Sequence, residues 1–265
     1  MKYIFFDLDG TLLDSAKHIS IDTISLLRKM EERGFVLGIS SGRGYTSVLP
    51  ILKDTGLYDV MDVVIANCGS DILDLKTGTH ERFHYLDKET IDEGLRLYRD
   101  IPEVAVVFHD SGRLFSTADF PLLKDFLITN GFDYRRDPDI EEYSSAPRME
   151  IIFPEEMKEE YLPVFRKLTP KGTRGIDSDT FLYEIVPEDE SKGKSILHYV
   201  ESRGGTAEEV MCFGDGDNDL EMMEACGHSI AMRNAPEHVK RMADEVTEYT
   251  NDEEGVKRHL EKLFF

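Results

Sequence analysis

The stretch YIFFDLDGT, residues 3–11, decides the fold, because four apolar residues lead directly into two carboxylates. Residues 3–6 have the length and the aromatic content of a buried strand. Asp7 and Asp9 follow where this strand ends, and ligand sites in open α/β sheets lie beyond the carboxyl ends of the strands. The stretch therefore predicts a polar site at the end of the first strand of such a sheet.

Strand-length apolar runs alternate with helical patterns on both sides of a long middle segment. The predicted strands are 3–6, 36–39, 63–66, 210–213 and 229–232, and the predicted helices are 21–32, 45–53, 191–203, one after Asp217, and 253–263. This alternation is typical of α/β proteins and predicts a Rossmann-like parallel sheet.

Residues 83–187 break this pattern with a strand pair at 105–109 and 113–116 and helices near 119–129 and 154–168. Strand pairs of this kind indicate antiparallel strands in an α+β arrangement. A βαβ crossover takes only about 30 residues, so the segment must fold as a unit of its own. We predict an α/β core of residues 1–82 and 188–265 with an inserted α+β domain at 83–187. Hinges are expected near 77–78 and 187–193.

The composition excludes several classes of protein. The 265 residues contain 31 Lys and Arg against 53 Asp and Glu, a net charge of −22 that disfavours nucleic acid and anionic membranes as partners. The cysteines, which are Cys68, Cys212 and Cys226, show no CxxC spacing for a disulfide framework or a structural zinc site. No apolar run reaches the roughly 18 residues of a membrane span. Asp7 and Asp9 interrupt the first apolar run, so we expect no signal peptide and a cytoplasmic location.

A second acidic cluster, GDGDND at 214–219, follows the predicted strand 210–213. Neighbouring carboxylates beside a buried strand need a cation or a proton, and hard oxygen ligands suit magnesium. An EF-hand loop is excluded because Leu220 and Cys226 stand where that loop needs Gly and Glu. For Asp9 and Gly10, an ordinary Asp-Gly turn stays an open alternative.

Two further features could bind an anion. The turn Ser41-Gly42-Arg43 follows strand 36–39 and could offer amide groups and a hydroxyl to a phosphate, although such a serine is more often a helix cap. Lys192 lies at the head of a helix capped by Ser191, where a cation is disfavoured unless an anion is near. The alternative for Lys192 is a solvated charge paired with the acids of residues 188–190.

In their order along the chain these elements resemble the haloacid dehalogenase-like phosphatase superfamily. The family's motifs are a strand ending in DxDGT, a strand ending in Ser or Thr, a distant Lys and a GDxxND cluster. Residues 7–11, Ser41, Lys192 and 214–219 match them here. The insert between the second and third motifs resembles the cap domain of the Cof-type subclass IIB.

This resemblance implies a magnesium-dependent phosphatase that acts on small phosphorylated metabolites, such as sugar phosphates or phosphorylated cofactors, through an aspartyl-phosphate. The implied catalytic residues are Asp7 as nucleophile, Asp9 as general acid and base, and Lys192 as a positive charge for the transition state. The implied magnesium ligands are Asp7, the backbone carbonyl of Asp9, Asp215 and Asp219. The implied phosphate-binding residues are Thr11, Ser41, Gly42, Lys192 and Asn218.

Some questions stay open at the level of sequence. Cys68 and Arg233 stand where the family usually has glycine, in loops that border its active site. In the insert, Arg148, Glu184 and His109 could contact a substrate, but a strand-end or surface role explains each more simply. A phosphomutase or phosphotransferase would share the aspartyl-phosphate. A receiver domain uses similar residues, although the order of the motifs and the insert argue against it.

Overall fold

The computed structural model describes residues 1–110, 113–118 and 143–265. The chain divides into two units, Met1–Phe83 with Ser191–Phe265 as the first and His84–Glu190 as the second. The prediction of a Rossmann-like α/β core with an α+β insert is confirmed. Among the described residues, no helix is both long and apolar enough to span a bilayer.

In chain order the strands are β1 (Tyr3–Phe6), β2 (Val36–Ser40), β3 (Val63–Ala66), β4 (Asp71–Asp74), β5 (His80–Arg82), β6 (Leu86–Asp87), β7 (Ala105–Asp110), β8 (Arg113–Ser116), β9 (Ser145–Ala146), β10 (Met149–Ile152), β11 (Thr173–Asp179), β12 (Leu182–Pro187), β13 (Val210–Gly214), β14 (His228–Ala231) and β15 (Glu245–Val246). The α-helices of the described residues are α1 (Ile21–Glu32), α2 (Tyr45–Thr55), α3 (Lys88–Tyr98), α4 (Lys158–Phe165), α5 (Lys192–Glu201), α6 (Leu220–Ala225), α7 (Glu237–Met242) and α8 (Gly255–Phe264).

The first unit is built on one sheet with the strand order β15-β14-β13-β1-β2-β3-β4-β5. The strands from β15 to β3 are parallel, whereas β4 and β5 pair in antiparallel fashion at one edge. The turn between β3 and β4 is too short for the crossover that a parallel pair requires, so the chain reverses there. The predicted parallel sheet is confirmed for the strands from β15 to β3, and the antiparallel strands β4 and β5 at this edge were not predicted from the sequence. Residues 77–78, predicted as a hinge, form the β4–β5 turn, where Asp74 Oδ1 accepts the Thr77 amide at 2.7 Å.

The parallel strands other than the exposed edge strand β15 are mostly buried, as expected for a sheet covered by helices on each side. Because successive side chains alternate, Ile4 and Phe6 pack with Leu27 of α1 on one face. Tyr3 and Phe5 join a second apolar cluster on the other face. Helix α5, whose first residue is Lys192, contributes Ile196 and Val200 to that second cluster.

Within the second unit, the described strands form an antiparallel sheet in the order β11-β12-β10-β7-β8, and β6 pairs with β9. Helices α3 and α4 contribute Leu95 and Phe165 to the apolar cluster of this unit. The helix predicted at 154–168 is a 3-10 turn, Glu155–Met157, followed by α4. The helix predicted at 119–129 lies outside the described residues.

Polar side chains of the second unit are more buried than the sequence suggests. Arg148 and Glu184 were expected at strand ends or on the surface, but Arg148 is buried and the Glu184 side chain is only 12% exposed. Arg148 Nη1 donates to Glu184 Oε1 at 2.7 Å. A charged pair can be buried in this way because each partner compensates the desolvation of the other.

Candidate active site

The sheet order brings together the loops that carry the sequence motifs. Strands β13, β1 and β2 are neighbours and run parallel, with Phe6 opposite both Phe213 and Ile39. The residues that follow these three strands therefore meet at one edge of the sheet. Asp7 continues this order, since its amide donates to Phe213 O at 2.9 Å.

Three of the predicted metal ligands form a compact group of carboxylates. Oxygen atoms of Asp7, Asp215 and Asp219 lie within 4.8 Å of one another, with Asp7 and Asp219 buried. Asp219 Oδ2 accepts the backbone amides of Asp215 and Gly216 at 2.9 and 3.0 Å. Its position is therefore set by the loop that carries it.

The DxDGT loop packs tightly against this group. The Thr11 hydroxyl, predicted to bind phosphate, donates to Asp215 Oδ1 at 2.7 Å. Gly10 has φ +79°, and a Cβ there would lie 2.4 Å from Asp215 Oδ2. A side chain at residue 10 would therefore displace the Asp215 carboxylate, which explains the glycine by close approach as well as by backbone conformation.

Lys192 reaches into the carboxylate group from the first turn of α5. Its Nζ lies 2.6 Å from Asp7 Oδ1 and 2.7 Å from Asp219 Oδ1, and its side chain is fully buried. The alternative of a solvated lysine paired with residues 188–190 is therefore wrong. Burial alone would lower the pKa of Lys192, but the nearby Asp219 and Asp7 raise it well above its ordinary value, so the lysine is charged.

One ammonium group does not balance three carboxylates. Burial raises the pKa of Asp7, Lys192 opposes this shift, and Asp219 and Asp215 add to it. Burial also raises the pKa of Asp215, with a further contribution from Asp219. These raised pKa values indicate that a further cation would stabilise the three carboxylates in their charged form. An all-oxygen donor set fits magnesium, which takes carboxylate ligands together with water and phosphate oxygens.

Of the three predicted catalytic residues, Asp9 is the one whose side chain lies outside the carboxylate group. Its Oδ1 accepts Arg43 Nη2 at 3.0 Å and Lys17 Nζ at 2.6 Å, and its Oδ2 accepts Arg43 Nε. Burial alone would raise the pKa of the Asp9 carboxyl, but the hydrogen bonds from Arg43 and Lys17 outweigh it and lower this pKa below its ordinary value. Arg43 and Lys17 were not predicted as site residues. The sequence signal for Arg43 is its place in the Ser41-Gly42-Arg43 turn, whereas nothing local indicates Lys17.

The predicted phosphate-binding loops lie side by side. Ser41 is buried, and its amide donates to Ile65 O at 2.8 Å. A Cβ on Gly42 would be 3.3 Å from Asn218 Nδ2, so the turn after β2 touches the acidic loop after β13. Asn218 itself is exposed. Ser41, Gly42 and Asn218 thus border the same edge of the sheet as the carboxylates.

The two departures from the family pattern have different surroundings. Cys68 adopts a left-handed conformation with φ 53° in the turn after β3. Arg233 is exposed, and its guanidinium donates to the Glu248 carbonyl at 2.7 Å. The next residue, Asn234, donates to the Gly10 carbonyl at 2.8 Å and so supports the DxDGT loop.

A mainly parallel sheet with a group of acids beyond adjacent strand ends, and a buried lysine from the start of a helix against them, is typical of hydrolases of the haloacid dehalogenase type. The family model for haloacid dehalogenase-like hydrolases matches residues 4–260, and the chain belongs to this family. The family and the phosphatase type of enzyme predicted from the motifs are confirmed.

One curated relative and two solved structures match this chain over nearly their whole length. The chain is 27% identical over 296 residues to the phosphatase YwpJ of Bacillus subtilis, covering 99% of this chain and 100% of that protein. A solved structure from Thermotoga maritima is 27% identical with a TM-score of 0.86, covering 98% of this chain and 97% of that one. A haloacid dehalogenase-like hydrolase from Bacteroides thetaiotaomicron is 26% identical with a TM-score of 0.81 and 99% coverage of both chains.

Proposed function

We propose that the protein is a magnesium-dependent phosphatase that hydrolyses small phosphorylated metabolites through an aspartyl-phosphate on Asp7. The observation that carries this proposal is the contact of Asp7 with the buried Lys192, 2.6 Å away, beside Asp215 and Asp219. A carboxylate held among a cation and further hard oxygen ligands suits attack on a phosphoryl group, because its negative charge is offset before the substrate arrives.

The first half of the reaction transfers the phosphoryl group to the enzyme. A carboxylate oxygen of Asp7 forms a bond to phosphorus while the bond from phosphorus to the ester oxygen breaks. Asp9 in its neutral form donates a proton to the departing oxygen, so that an alcohol leaves. Lys192 offsets negative charge at Asp7 and at the phosphoryl oxygens, and Ser41 and Asn218 are the proposed hydrogen-bond donors to those oxygens.

The second half returns the enzyme to its starting state. Asp9, now a carboxylate, accepts a proton from water as the water oxygen attacks phosphorus. The bond from phosphorus to Asp7 breaks, which releases inorganic phosphate and the free Asp7 carboxylate. The pairing of Asp9 with Arg43 and Lys17 favours its carboxylate form. This suits the second half and opposes the protonation of Asp9 that the first half requires.

The residues that would hold magnesium are Asp7, Asp215 and Asp219 through side-chain oxygens and Asp9 through its backbone carbonyl. Bound there, magnesium would offset the negative charge of the phosphoryl oxygens. The raised pKa of Asp7 supports this assignment, because burial is its largest cause, the nearby Asp219 and Asp215 add to it, and a bound cation would oppose it.

The substrate class, sugar phosphates or phosphorylated cofactors, rests on the family, whereas the proposed cytoplasmic location rests on the sequence alone. A transferase that passes the phosphoryl group to a sugar hydroxyl would use the same first half. A screen of phosphorylated metabolites with magnesium separates these cases. Release of inorganic phosphate supports the phosphatase, whereas isomerisation that depends on a bisphosphate would identify a mutase.

The covalent step is tested by trapping. The enzyme is mixed with p-nitrophenyl phosphate and magnesium, quenched in acid, and analysed by intact mass and peptide mapping. We expect one phosphoryl group on Asp7 and none in Asp7→Asn. A label on another residue, or turnover by Asp7→Asn, would contradict the proposal, and a phosphoprotein that persists for hours would indicate a receiver-like function instead.

A further inference from the structure

A turn outside the four motifs has an unusual backbone conformation. Asn67, Cys68 and Gly69, which follow β3 and are called the 67–69 turn below, have φ values of 50°, 53° and 114°. Left-handed conformations are costly for residues with a Cβ and persist only where the surroundings enforce them. Three in succession imply that specific contacts hold this turn.

The 67–69 turn is bonded to the Ser41-Gly42-Arg43 turn. The Asn67 amide donates to Arg43 O at 2.8 Å, and the Cys68 amide donates to Ser41 O at 3.0 Å. These two bonds lie on either side of Gly42. The 67–69 turn therefore supports the backbone of Ser41 and Gly42, both proposed to bind phosphate, and of Arg43, whose guanidinium holds Asp9.

The same turn contacts the beginning of α5. The Ser195 hydroxyl donates to Gly69 O at 2.7 Å. A Cβ on Gly69 would lie 2.4 Å from the carbonyl oxygen of Ser191, immediately before Lys192. The 67–69 turn thus contacts two parts of the active site, which are the turn after β2 and the helix that carries Lys192.

Asp71, the first residue of β4, holds the 67–69 turn in place. It is completely buried, and its Oδ2 accepts the Asn67 side-chain amide at 2.5 Å. Its Oδ1 lies 2.6 Å from His80 Nε2. The His80 ring packs against Tyr45, with 4.8 Å between ring centroids, and Tyr45 begins α2 just after the Ser41-Gly42-Arg43 turn.

We propose that Asp71 is a positioning residue for the Ser41-Gly42-Arg43 turn. It reaches the Arg43 end of that turn by two routes, one through Asn67, whose amide donates to Arg43 O, and one through His80 and Tyr45. A completely buried carboxylate carries a desolvation cost that an apolar residue at a strand end would not, and the geometry it imposes on this turn accounts for its presence. The consequence for catalysis rests on the proposed function.

Loss of Asp71 is expected to affect substrates unequally. If the turn moves, Arg43 no longer holds the Asp9 carboxyl in position. The displaced carboxyl then donates a proton to the leaving group less effectively, even though Arg43 also favours its carboxylate form. An alkyl phosphate needs that proton, whereas p-nitrophenyl phosphate leaves with little help. A variant that is only partly unfolded would instead lose activity toward both substrates in proportion.

The experiment compares Asp71→Ala with Asp74→Ala, which removes another buried carboxylate of β4 that is bonded to Thr77 and Arg203. For Asp71→Ala we expect kcat/KM for an alkyl phosphate to fall by about 10-fold to 100-fold, and for p-nitrophenyl phosphate by much less. Backbone amides of residues 41–44 should exchange hydrogen faster than in the wild type. Asp74→Ala should change neither the ratio of the two substrates nor this local exchange.

Equal losses on both substrates, or unchanged exchange at residues 41–44, would overturn the proposal. If Asp71→Ala does not fold, Asn67→Gly is measured by the same criteria, because glycine keeps the left-handed backbone and removes the bond to Asp71. If the wild-type enzyme turns over no phosphate ester, the proposed function fails, and the exchange comparison alone then decides whether Asp71 positions the turn.

Discussion

Lys192 Nζ donates to Asp7 Oδ1 at 2.6 Å across 185 positions of sequence, and both side chains are buried. This contact joins the first turn of α5 to the end of β1. A buried charge is tolerated only when it is paired, so the contact supports the local structure as well as the proposed chemistry.

Replacing Lys192 should therefore affect both activity and stability. Lys192→Met is expected to lower kcat by about 10²-fold or more, because a positive charge at the phosphoryl group is lost. Without added magnesium it should also lower the free energy of unfolding by about 3 to 5 kcal/mol, since Asp7 and Asp219 lose their partner. Steady-state kinetics and urea denaturation measure the two effects. The exposed Lys194 on the same helix provides the control, Lys194→Met, and equal behaviour of the two variants would argue against a special role for Lys192.

Metal removal is expected to abolish phosphatase activity, and added magnesium to restore it. Calcium should substitute poorly, because it prefers more ligands and longer bonds than magnesium. Magnesium should also raise the Tm of the wild type by binding the folded state alone, and Asp215→Asn should reduce this rise. Full turnover in excess chelator would exclude a catalytic metal.

Asp9→Asn should separate the two halves of the proposed reaction. It removes the proton donor for an alkyl leaving group, a loss of roughly 10² to 10⁴ in rate, but p-nitrophenyl phosphate should still phosphorylate Asp7. Without a base the aspartyl-phosphate then hydrolyses slowly. Rapid-quench kinetics should show a burst of nitrophenol approaching one equivalent per enzyme, followed by a slow phase. Wild-type rates on alkyl and aryl phosphates would refute the acid and base role.

Glu150 of β10 predicts a pH dependence of stability that is independent of catalysis. Burial raises the pKa of Glu150 to about 8, Glu184 adds to the shift, and Arg148 opposes it. In the unfolded chain the carboxyl titrates near 4.5, so the folded state binds the extra proton between these two values. This contribution to stability is full below pH 4.5 and is lost as the pH rises to about 8.

The free energy of unfolding should fall in that range with a slope of up to about 1.4 kcal/mol per pH unit from this group. Glu150→Gln mimics the protonated side chain and should remove the slope, so that it is more stable than the wild type at pH 8. Urea denaturation at several pH values measures this slope, and Glu156→Gln serves as the control because Glu156 is exposed. A slope equal to that of the wild type in Glu150→Gln would contradict the burial effect.

Much of the fold could be predicted because the signals are local. The bounds of β1, α1 and β3 are the predicted ones, and Ser191 caps α5 through a bond from the Lys194 amide. Apolar runs and caps depend on neighbouring residues only. The antiparallel edge was missed, because β4 and β5 are short and the turn at 77–78 looked like a linker.

The candidate site could be predicted from the sequence only in part. Asp7, Asp215 and Asp219 are at strand ends, and their types and order carry the family resemblance, so residues alone were enough to group them. The side chain of Asp9 turns away to Arg43 and Lys17, and no local pattern indicates this pairing. This pairing arises because β1 and β2 are neighbours in the sheet, which places the Ser41-Gly42-Arg43 turn beside the DxDGT loop.

Composition, strand periodicity and four short motifs in a fixed order thus predicted the fold class and the family. Each apolar run and each motif can be recognised from residues that are close together in the chain. Whether a charge is solvated or buried depends instead on what the folded chain packs around it. Lys192 is buried against Asp7, and Asp71 is buried against Asn67 and His80, only because distant or oppositely running segments meet there. The desolvation and the pairing of these groups arise from tertiary packing, so they cannot be predicted from a local stretch of sequence.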